Sequence, residues 1–445
     1  MEGLRLRSER SAPSAAVRRP RLVVIGNGMA GVRTLEELLK LAPGRYDVAV
    51  FGAEPYPNYN RILLSPVLAG ELPLSEIVLN DLDWYLARGI RLHLNKQVAR
   101  IDRGARKVIA EDGTEERYDR LLLATGSTPF LLPVPGNDLE GVLTYRDIRD
   151  TNSMILAASH HRAAVVIGGG LLGLEAANGL RARGMDVTVV HLMPWLMERQ
   201  LDPTAAGMLR AALEARGIRF RLAAQTEAIL LGHSGRVGAV KLKDEEVIAA
   251  DLVVMAAGIR PNISLAESAG LLCQRGVVVT DTMQTFDPRI YAVGECVAHR
   301  GVTYGLVAPL YEQARICAMH LAECGPGRYQ GSVVSTQLKV TGIDLFSAGD
   351  FMGGAGTEAI TLNDVGSGIY RKVVLKNNQV AGAVLYGDTE GAAWLLGLMR
   401  EKRDVTAIRD ALAFGPEAVA MLKSEEGLSV ALSPAETVAA ERRVA

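Results

Sequence analysis

Apolar runs of four or five residues, several followed by helix-like spacing, recur along the first half of the chain. The order of apolar strand, glycine-rich turn, helix and second apolar strand predicts a βαβ unit, and this order occurs twice. The predicted segments are 22–25, 32–41 and 47–51 in the first unit, and 163–167, 174–183 and 186–190 in the second. The pattern therefore predicts an α/β chain with two Rossmann-like domains.

Each unit carries glycines with the spacing GxGxxG between its first strand and its helix. They are Gly26, Gly28 and Gly31 in the first unit, and Gly168, Gly170 and Gly173 in the second. Without a Cβ atom the backbone can approach a pyrophosphate, and the following helix N-terminus offers free N–H groups and a positive dipole end. One such turn is a weak signal, but two turns inside complete βαβ units predict two bound dinucleotides.

The pattern changes near residue 332, where short β-rich segments replace the βαβ order. These segments lie at 337–340, 370–375 and 380–385, and an apolar helix is predicted at 392–400. We therefore expect a C-terminal α+β domain at 332–426. The other predicted divisions are a flexible tail at 1–20, a first dinucleotide-binding domain at 21–138 that resumes at 258–331, a second at 139–257, and a flexible tail at 427–445.

Composition and charge mainly exclude classes of function. Lys plus Arg number 49 and Asp plus Glu number 50, so the chain has no basic surplus for nucleic acid or an anionic membrane. No apolar run reaches about 18 residues without a charge, so we expect no membrane span. The four cysteines stand apart, so neither a disulfide scaffold nor a metal site is predicted. The N-terminal segment lacks the apolar core of a signal peptide, so we expect a cytoplasmic protein.

An acidic residue after the second strand of such a unit binds the ribose hydroxyls of the dinucleotide. In the first unit, Glu54 lies two positions beyond the expected register. In the second unit, His191 stands where an acid is usual for NADH. The arginines nearest in sequence are Arg181, Arg183 and Arg199. Because an arginine at this place suits NADPH, the sequence leaves NADH and NADPH open.

Longer strings outside the two turns carry a specific resemblance. They are YNRILLSP at 59–66, LLLATGSTP at 121–129, VVHLMPWLMERQLD at 189–202, AAGIRPN at 256–262, IYAVGEC at 290–296 and STQLKVTGIDLFSAGDF at 335–351. Over about residues 21–425 the chain resembles the flavoprotein half of the NAD(P)H-dependent nitrite reductase large subunit, a two-dinucleotide reductase with a glutathione-reductase-like fold. It is also similar to stand-alone electron-transfer flavoproteins of assimilatory nitrate and nitrite reduction.

The resemblance implies an enzyme that takes hydride from NADH or NADPH onto a tightly bound FAD. The residues that it implies for FAD are Gly26, Gly28, Ala30, Gly31, Glu54, Arg61, Val98, Thr125, Gly126, Gly258, Gly294 and Glu295. Those that it implies for the nicotinamide dinucleotide are Gly168, Gly170, Gly173 and His191. Two catalytic roles follow from it as well: Glu175 orients the nicotinamide, and Pro309 begins a helix aimed at the flavin.

The full-length large subunit continues into iron–sulfur and sirohaem modules, whose cysteine motifs are missing from this sequence. We therefore expect electrons to pass to a separate metal-containing reductase, and we expect no nitrite reduction by this chain alone. A ferredoxin or rubredoxin reductase is an alternative, although Pro66 stands where those relatives often have Lys. An NADH oxidase with a reactive thiol is disfavoured because no cysteine precedes Cys273. A non-enzymatic, nucleotide-binding redox sensor is a third interpretation, and a homodimer is left open.

Overall fold

The computed structural model describes residues 18–233, 235–340 and 342–425. The flexible tails expected at 1–20 and 427–445 lie outside the described residues, apart from 18–20. Strands and helices are numbered below in chain order. Short 3₁₀ segments lie at Arg61–Leu63, Leu74–Ile77 and Thr406–Phe414.

The first part of the chain forms a parallel sheet with a small antiparallel sheet beside it. Its strands are β1 (Arg21–Ile25), β2 (Asp47–Phe51), β3 (Asn58–Tyr59), β4 (Val78–Asn80), β5 (Arg91–His93), β6 (Val98–Asp102), β7 (Lys107–Ala110), β8 (Glu115–Arg117), β9 (Arg120–Leu123) and β10 (Ser127–Pro129). Its helices are α1 (Met29–Leu41), α2 (Leu64–Ala69) and α3 (Leu82–Leu86). The parallel order is β9-β1-β2-β5, and β6, β7 and β8 pair antiparallel. The central strands are apolar on both faces because both faces of the sheet are covered.

The second part repeats this architecture with its own sheet and core. Its strands are β11 (Val142–Thr144), β12 (Ala163–Ile167), β13 (Asp186–Val190), β14 (Arg219–Arg221), β15 (Thr226–Leu231), β16 (Val237–Leu242), β17 (Val247–Ala249) and β18 (Leu252–Met255). Its helices are α4 (Ile148–His160), α5 (Leu171–Ala182) and α6 (Pro203–Ala215). The parallel order is β11-β18-β12-β13-β14. The chain therefore carries two doubly wound sheets, as the repeated βαβ pattern predicts.

The chain then returns to the first sheet. The returning strands are β19 (Ile259–Pro261), β20 (Val277–Val279), β21 (Ile290–Ala292) and β22 (Val297–His299), and the helices are α7 (Ser264–Ser268) and α8 (Val307–Ala322). Strand β21 joins the edge of the first sheet beside β9, and α8 packs against α1. Strand β19 pairs with β10, so two chain crossings lie side by side between the two sheets.

An antiparallel sheet and helices form the C-terminal part. Its strands are β23 (Ser335–Val340), β24 (Ile343–Gly349), β25 (Glu358–Asp364), β26 (Ile369–Lys376) and β27 (Gln379–Tyr386), and its helices are α9 (Ala392–Glu401) and α10 (Pro416–Glu425). It packs against α6 of the second part, where Asp202 is the N-cap residue. The buried Asp202 carboxylate accepts a hydrogen bond of 2.7 Å from the Tyr370 hydroxyl and lies 3.3 Å from Lys372 Nζ. The expected α+β composition of this region is confirmed.

Three of the predicted strands coincide with the structure, namely β2, β12 and β13. The two helices that follow the glycine turns begin three residues earlier than predicted, at Met29 and Leu171. The reason is that the third glycine of each turn already lies inside the helix. No helix in the described part of the chain has the length and apolar character that crossing a membrane requires.

Candidate functional site

The first glycine turn has three glycines with three different roles. Gly26 has φ +115°, and a Cβ there would lie 2.1 Å from the carbonyl oxygen of Ala124, so only glycine fits this turn. Gly31 lets α1 pack on the turn, because a Cβ on it would lie 2.6 Å from the Gly26 carbonyl oxygen. At Gly28, by contrast, a Cβ would meet no protein atom within 4 Å. Gly28 therefore faces open space where a ligand backbone can approach.

The second glycine turn reproduces the first. Gly168 has φ +125°, and its Cβ would lie 2.3 Å from the carbonyl oxygen of Ala256. A Cβ on Gly173 would lie 1.9 Å from the Gly168 carbonyl oxygen, whereas one on Gly170 would meet nothing within 4 Å. Two separate sheets thus present the same arrangement: a turn glycine, an open glycine and a packing glycine.

The helices behind both turns leave their N-terminal N–H groups available. Gly28 and Gly170 are the N-cap residues of α1 and α5, and neither helix has a side-chain cap or an acidic residue in its first turn. The two helices are 13 and 12 residues long, so each carries a full dipole. Uncapped N–H groups beside an open glycine fit the pyrophosphate of a dinucleotide.

A second loop approaches the first turn from strand β21. Gly294 has φ +94°, and a Cβ there would lie 3.1 Å from the Ala30 Cβ. The Gly294 N–H donates a hydrogen bond of 3.0 Å to Gln313 Oε1 on α8. Gln313 is fully buried, yet its Nε2 has no hydrogen-bond partner in the described structure. Because an orphaned buried donor is costly, this amide fits a polar ligand between the turn and the loop.

Glu295, the next residue, is held by two elements from elsewhere in the chain. The Ser127 hydroxyl donates a hydrogen bond of 2.7 Å to Glu295 Oε2, and the Arg146 guanidinium forms an ion pair with the same oxygen. Both side chains of this ion pair are largely buried, and the Nε of Arg146 has no hydrogen-bond partner among the described residues. The two unpartnered donors thus belong to residues that contact the adjacent positions Gly294 and Glu295. Sequence reasoning missed Arg146, because it lies 149 residues from Glu295.

Arg61 and Glu54 form one cluster with Arg146. Arg61 donates a hydrogen bond of 2.7 Å to the Arg146 carbonyl oxygen and another of 2.7 Å to Glu54 Oε1. The Tyr59 hydroxyl donates to the other carboxylate oxygen, Glu54 Oε2, at 2.8 Å. Both oxygens of Glu54 therefore have partners in this chain, and a ribose hydroxyl would share them.

Two chain crossings join the halves of the molecule at the sites expected for cofactor contacts. The Thr125 hydroxyl donates to the Asn262 carbonyl oxygen at 2.8 Å, and the Asn262 side chain donates back to the Thr125 carbonyl oxygen at 2.8 Å. Gly126 and Gly258 both have positive φ, and a Cβ on either would meet nothing within 4 Å. These crossings place open backbone between the two sheets.

A polar cavity of about 250 Å³ lies at the carboxyl ends of β2 and β5. Ala53, Asn95, Lys96 and Gln97 contribute to its lining. Val98, one of the residues that the resemblance implies for FAD, follows directly and is buried at the start of β6. The cavity is therefore on the same sheet edge as the first glycine turn, where ligands of doubly wound sheets bind.

His191 lies against the second glycine turn. The Gly169 N–H donates a hydrogen bond of 3.0 Å to His191 Nδ1, and a Cβ on Gly169 would lie 2.7 Å from the imidazole ring. His191 Nε2 lies 3.1 Å from Glu198 Oε2. The sequence pointed to His191 but not to Glu198, since a loop of unpredictable path separates them.

Glu175 sits in α5 at the contact with α2. The Ser65 hydroxyl donates a hydrogen bond of 2.6 Å to Glu175 Oε2, and the Tyr145 hydroxyl donates to Ser65 at 3.1 Å. Burial raises the pKa of Glu175 from 4.5 to about 7, an effect that the Ser65 hydrogen bond partly offsets. Glu175 can therefore hold or release a proton near neutral pH.

Pro309 is the third residue of α8 and lies in the first helical turn, a position that suits proline. It lies one turn before Gln313 on the same helix, which places this N-terminus beside the Gly294 loop. Cys296 is fully buried, and burial raises the pKa of its thiol. A reactive thiolate at Cys296 is therefore disfavoured.

Comparison with known proteins agrees with this geometry. Residues 20–320 match the model of the family described as pyridine nucleotide-disulphide oxidoreductase, and residues 335–403 match that of the rubredoxin NAD+ reductase C-terminal domain. The chain is 51% identical over 385 residues to a nitrite reductase [NAD(P)H] of Bacillus subtilis (strain 168), covering 86% of this chain and 48% of that protein.

Two further proteins are similar to most of the chain. An assimilatory nitrate reductase electron transfer subunit of the same strain is 45% identical over 390 residues, covering 88% of this chain and 50% of that protein. The chain thus spans about half the length of these two relatives. The reductase in a crystal structure of a covalent putidaredoxin reductase–putidaredoxin complex superposes with a TM-score of 0.82 at 25% identity, covering 92% of this chain and 99% of that one.

Proposed function

This chain belongs to the pyridine nucleotide-disulphide oxidoreductase family, and we propose that it is the NAD(P)H-oxidising component of nitrate or nitrite assimilation, passing electrons to a separate metal-containing reductase. It is an FAD-dependent NAD(P)H oxidoreductase. The observation that carries the proposal is the pair of matching glycine turns, each with one open glycine and an uncapped helix N-terminus.

We assign the FAD to the first turn and its neighbours. Gly28 and the N-terminus of α1 would hold the pyrophosphate, and the Gly294–Glu295 loop would close over it from β21. Arg146 Nε and Gln313 Nε2, which have no partner among the described residues, would donate hydrogen bonds to the FAD. Arg61 would fix Arg146 through its carbonyl oxygen. FAD, when bound, supplies the redox chemistry, since it accepts a hydride from NAD(P)H and releases electrons singly or in pairs.

We assign the nicotinamide dinucleotide to the second turn. Gly170 and the N-terminus of α5 would hold its pyrophosphate, and Glu175 on the next turn of α5 would orient the nicotinamide. Ser65, from the first domain, holds the Glu175 carboxyl at 2.6 Å. One contact therefore ties the orienting residue to α2, which directly follows the 3₁₀ segment that carries Arg61.

The same division gives our proposed domains: 21–138 with 258–331 for FAD, 139–257 for NAD(P)H, and 332–426 as the C-terminal domain. The remaining assigned contacts, from Val98, Thr125, Gly126 and Gly258, surround the cleft between the first two. Since NAD(P)H is supplied in the cytoplasm, we propose that the protein works there.

The proposal for the electron acceptor is supported by the two Bacillus subtilis relatives, which are named as a nitrite reductase and as a nitrate reductase electron transfer subunit. Nitrite reduction to ammonium consumes six electrons, whereas a flavin stores two. A separate metal centre could collect the six electrons from repeated turnovers of the flavin.

The test couples the purified chain to candidate acceptors under anaerobic conditions. NADH or NADPH is supplied with nitrite and a sirohaem nitrite reductase lacking its own flavin module, or with nitrate and a nitrate reductase, and the ammonium or nitrite formed is measured. We expect product only when chain, NAD(P)H and one of these acceptors are all present. Gly170→Val, which places a branched side chain in the open position, is the matched negative control. Ferricyanide reduction serves as the control that the chain itself is active. If the chain is active but its reduced flavin stays reduced in the presence of both acceptors, the proposed role is contradicted.

A further inference from the structure

We propose that Glu198, positioned by His191, binds the adenosine ribose of the nicotinamide dinucleotide and makes NADH the preferred donor over NADPH. The inference rests on the proposed function, because it concerns the dinucleotide assigned to the second turn. It assigns to a loop residue the selectivity that an acid at the end of the strand usually provides.

The loop after β13 is fastened to the glycine turn from two directions. The Met197 N–H donates a hydrogen bond of 3.0 Å to the Gly169 carbonyl oxygen, and the Gly169 N–H donates one of 3.0 Å to His191 Nδ1. Leu196 and Met197 are fully buried, which anchors the loop in the core of the second domain. Glu198 follows Met197 directly, so its backbone is fixed one residue from the turn.

The imidazole of His191 determines where the Glu198 carboxylate points. Because Nδ1 accepts the Gly169 N–H, the ring proton is on Nε2, which donates to Glu198 Oε2 at 3.1 Å. His191 is nearly buried, whereas the Glu198 side chain is 24% exposed. The carboxylate therefore reaches the surface of the protein beside the turn. Since a carboxylate accepts up to about four hydrogen bonds, capacity remains for ribose hydroxyls.

The arginines that could favour NADPH are mostly engaged elsewhere. Arg181 donates to the carbonyl oxygens of Met185 and Arg216, at 3.2 and 3.0 Å. Arg183 donates to two carbonyl oxygens at the end of α2 in the first domain. Both guanidinium groups are therefore committed to backbone contacts.

Of the three arginines near His191 in sequence, Arg199 remains, and it is exposed next to Glu198. Arg221 on β14, beside the end of β13, is paired with Glu246. A 2′-phosphate at the ribose would bring two negative charges towards the Glu198 carboxylate, and that repulsion opposes NADPH. The 2′-hydroxyl of NADH would instead donate a hydrogen bond to the carboxylate.

Fragments that contain only the adenosine half isolate this subsite. We would measure ADP-ribose and 2′-phospho-ADP-ribose binding to the flavin-loaded protein by calorimetry. Wild type should bind ADP-ribose at least about tenfold more tightly, in line with a hydrogen bond to a charged group. Glu198→Gln keeps the size and the His191 contact but removes the charge, so this preference should shrink about tenfold or more. Glu214→Gln, on the exposed face of α6, is the matched control and should leave the preference unchanged.

Donor kinetics separate a binding role from a general structural effect. With NADH, Glu198→Gln and His191→Gln should raise KM several-fold and change kcat little, while reduction by reduced nicotinamide mononucleotide, which lacks adenosine, should be unaffected. Equal fragment preference in wild type and Glu198→Gln would overturn the inference. So would a wild-type preference for the 2′-phosphate that Arg199→Ala abolishes. A flavin that neither NADH nor NADPH reduces would instead overturn the proposed function. The two failures can be told apart because fragment binding does not depend on flavin reduction.

Discussion

Replacing Glu175 with glutamine should make the stability of the protein less sensitive to pH. The carboxyl accepts a 2.6 Å hydrogen bond from Ser65, and burial raises its pKa from 4.5 to about 7. Glutamine is nearly the same size and can accept the same hydrogen bond. The substitution therefore removes the ionisation of Glu175 while leaving the packing of α5 against α2 in place.

The magnitude follows from the difference in pKa between the folded and unfolded states. Between about pH 4.5 and pH 7 the folded protein keeps a proton on Glu175 that the unfolded chain releases, so wild type loses stability as the pH rises. Above pH 7 the whole cost of ionising the buried carboxyl is present, about 3 kcal/mol at 1.36 kcal/mol for each pKa unit. From pH 5 to pH 8 the unfolding free energy of the variant should therefore rise by about 2–3 kcal/mol relative to that of wild type.

Urea unfolding of the flavin-loaded wild type and Glu175→Gln at pH 5 and pH 8 measures this gain. The quantity compared is the unfolding free energy of the variant minus that of wild type, taken at pH 8 and then reduced by the same difference at pH 5. Glu214→Gln, a change in an exposed ion pair, serves as control and should stay within about 0.5 kcal/mol. A Glu175→Gln difference that is the same at both pH values would refute the reasoning, since a carboxyl of ordinary pKa produces that result.

Four further substitutions test the site and the domain contacts. Gly28→Val should abolish FAD binding, and Gly170→Val should abolish reduction by NAD(P)H while retaining FAD. Both proteins should still fold, because a Cβ at either position meets no protein atom within 4 Å and the added side chain occupies only the space of the ligand. Flavin content and unfolding temperature check both variants. Arg146→Met should weaken FAD binding about tenfold or more, because it removes the buried donor assigned to the cofactor, and flavin release on dilution measures the loss. Asp202→Asn should lower the unfolding free energy by about 3 kcal/mol, because it removes the buried partner of Lys372, and urea unfolding checks this value.

Much of the fold could be predicted because it depends on local patterns. Strand β13 at Asp186–Val190 has buried residues on both faces and valine at three of its five positions, and the glycine turns have a spacing that a strand-to-helix connection requires. The errors at Met29 and Leu171 arose because the sequence does not show where the helix begins within GxGxxG. The structure resolves this point: the second glycine is the N-cap, and the third is a helical residue.

The contacts between distant residues could not be predicted. Arg146 and Glu295 meet only after β21 returns to the first sheet, and Ser65 meets Glu175 only when the two domains pack together. Glu198 reaches His191 because Met197 adopts a left-handed conformation, with φ +52°. No local residue pattern predicts that conformation. The glycines of the site are visible in the sequence, whereas the charged residues around them depend on tertiary structure.

Anaerobic titration of the purified protein with NADH and NADPH tests the central claim most directly. We predict that extraction releases one FAD per chain and that about one equivalent of the preferred donor bleaches the flavin absorbance completely. Gly170→Val, measured in parallel, should be equally yellow and stay oxidised. A protein that carries FMN, that holds no flavin after reconstitution with FAD, or whose flavin neither donor bleaches would contradict the account.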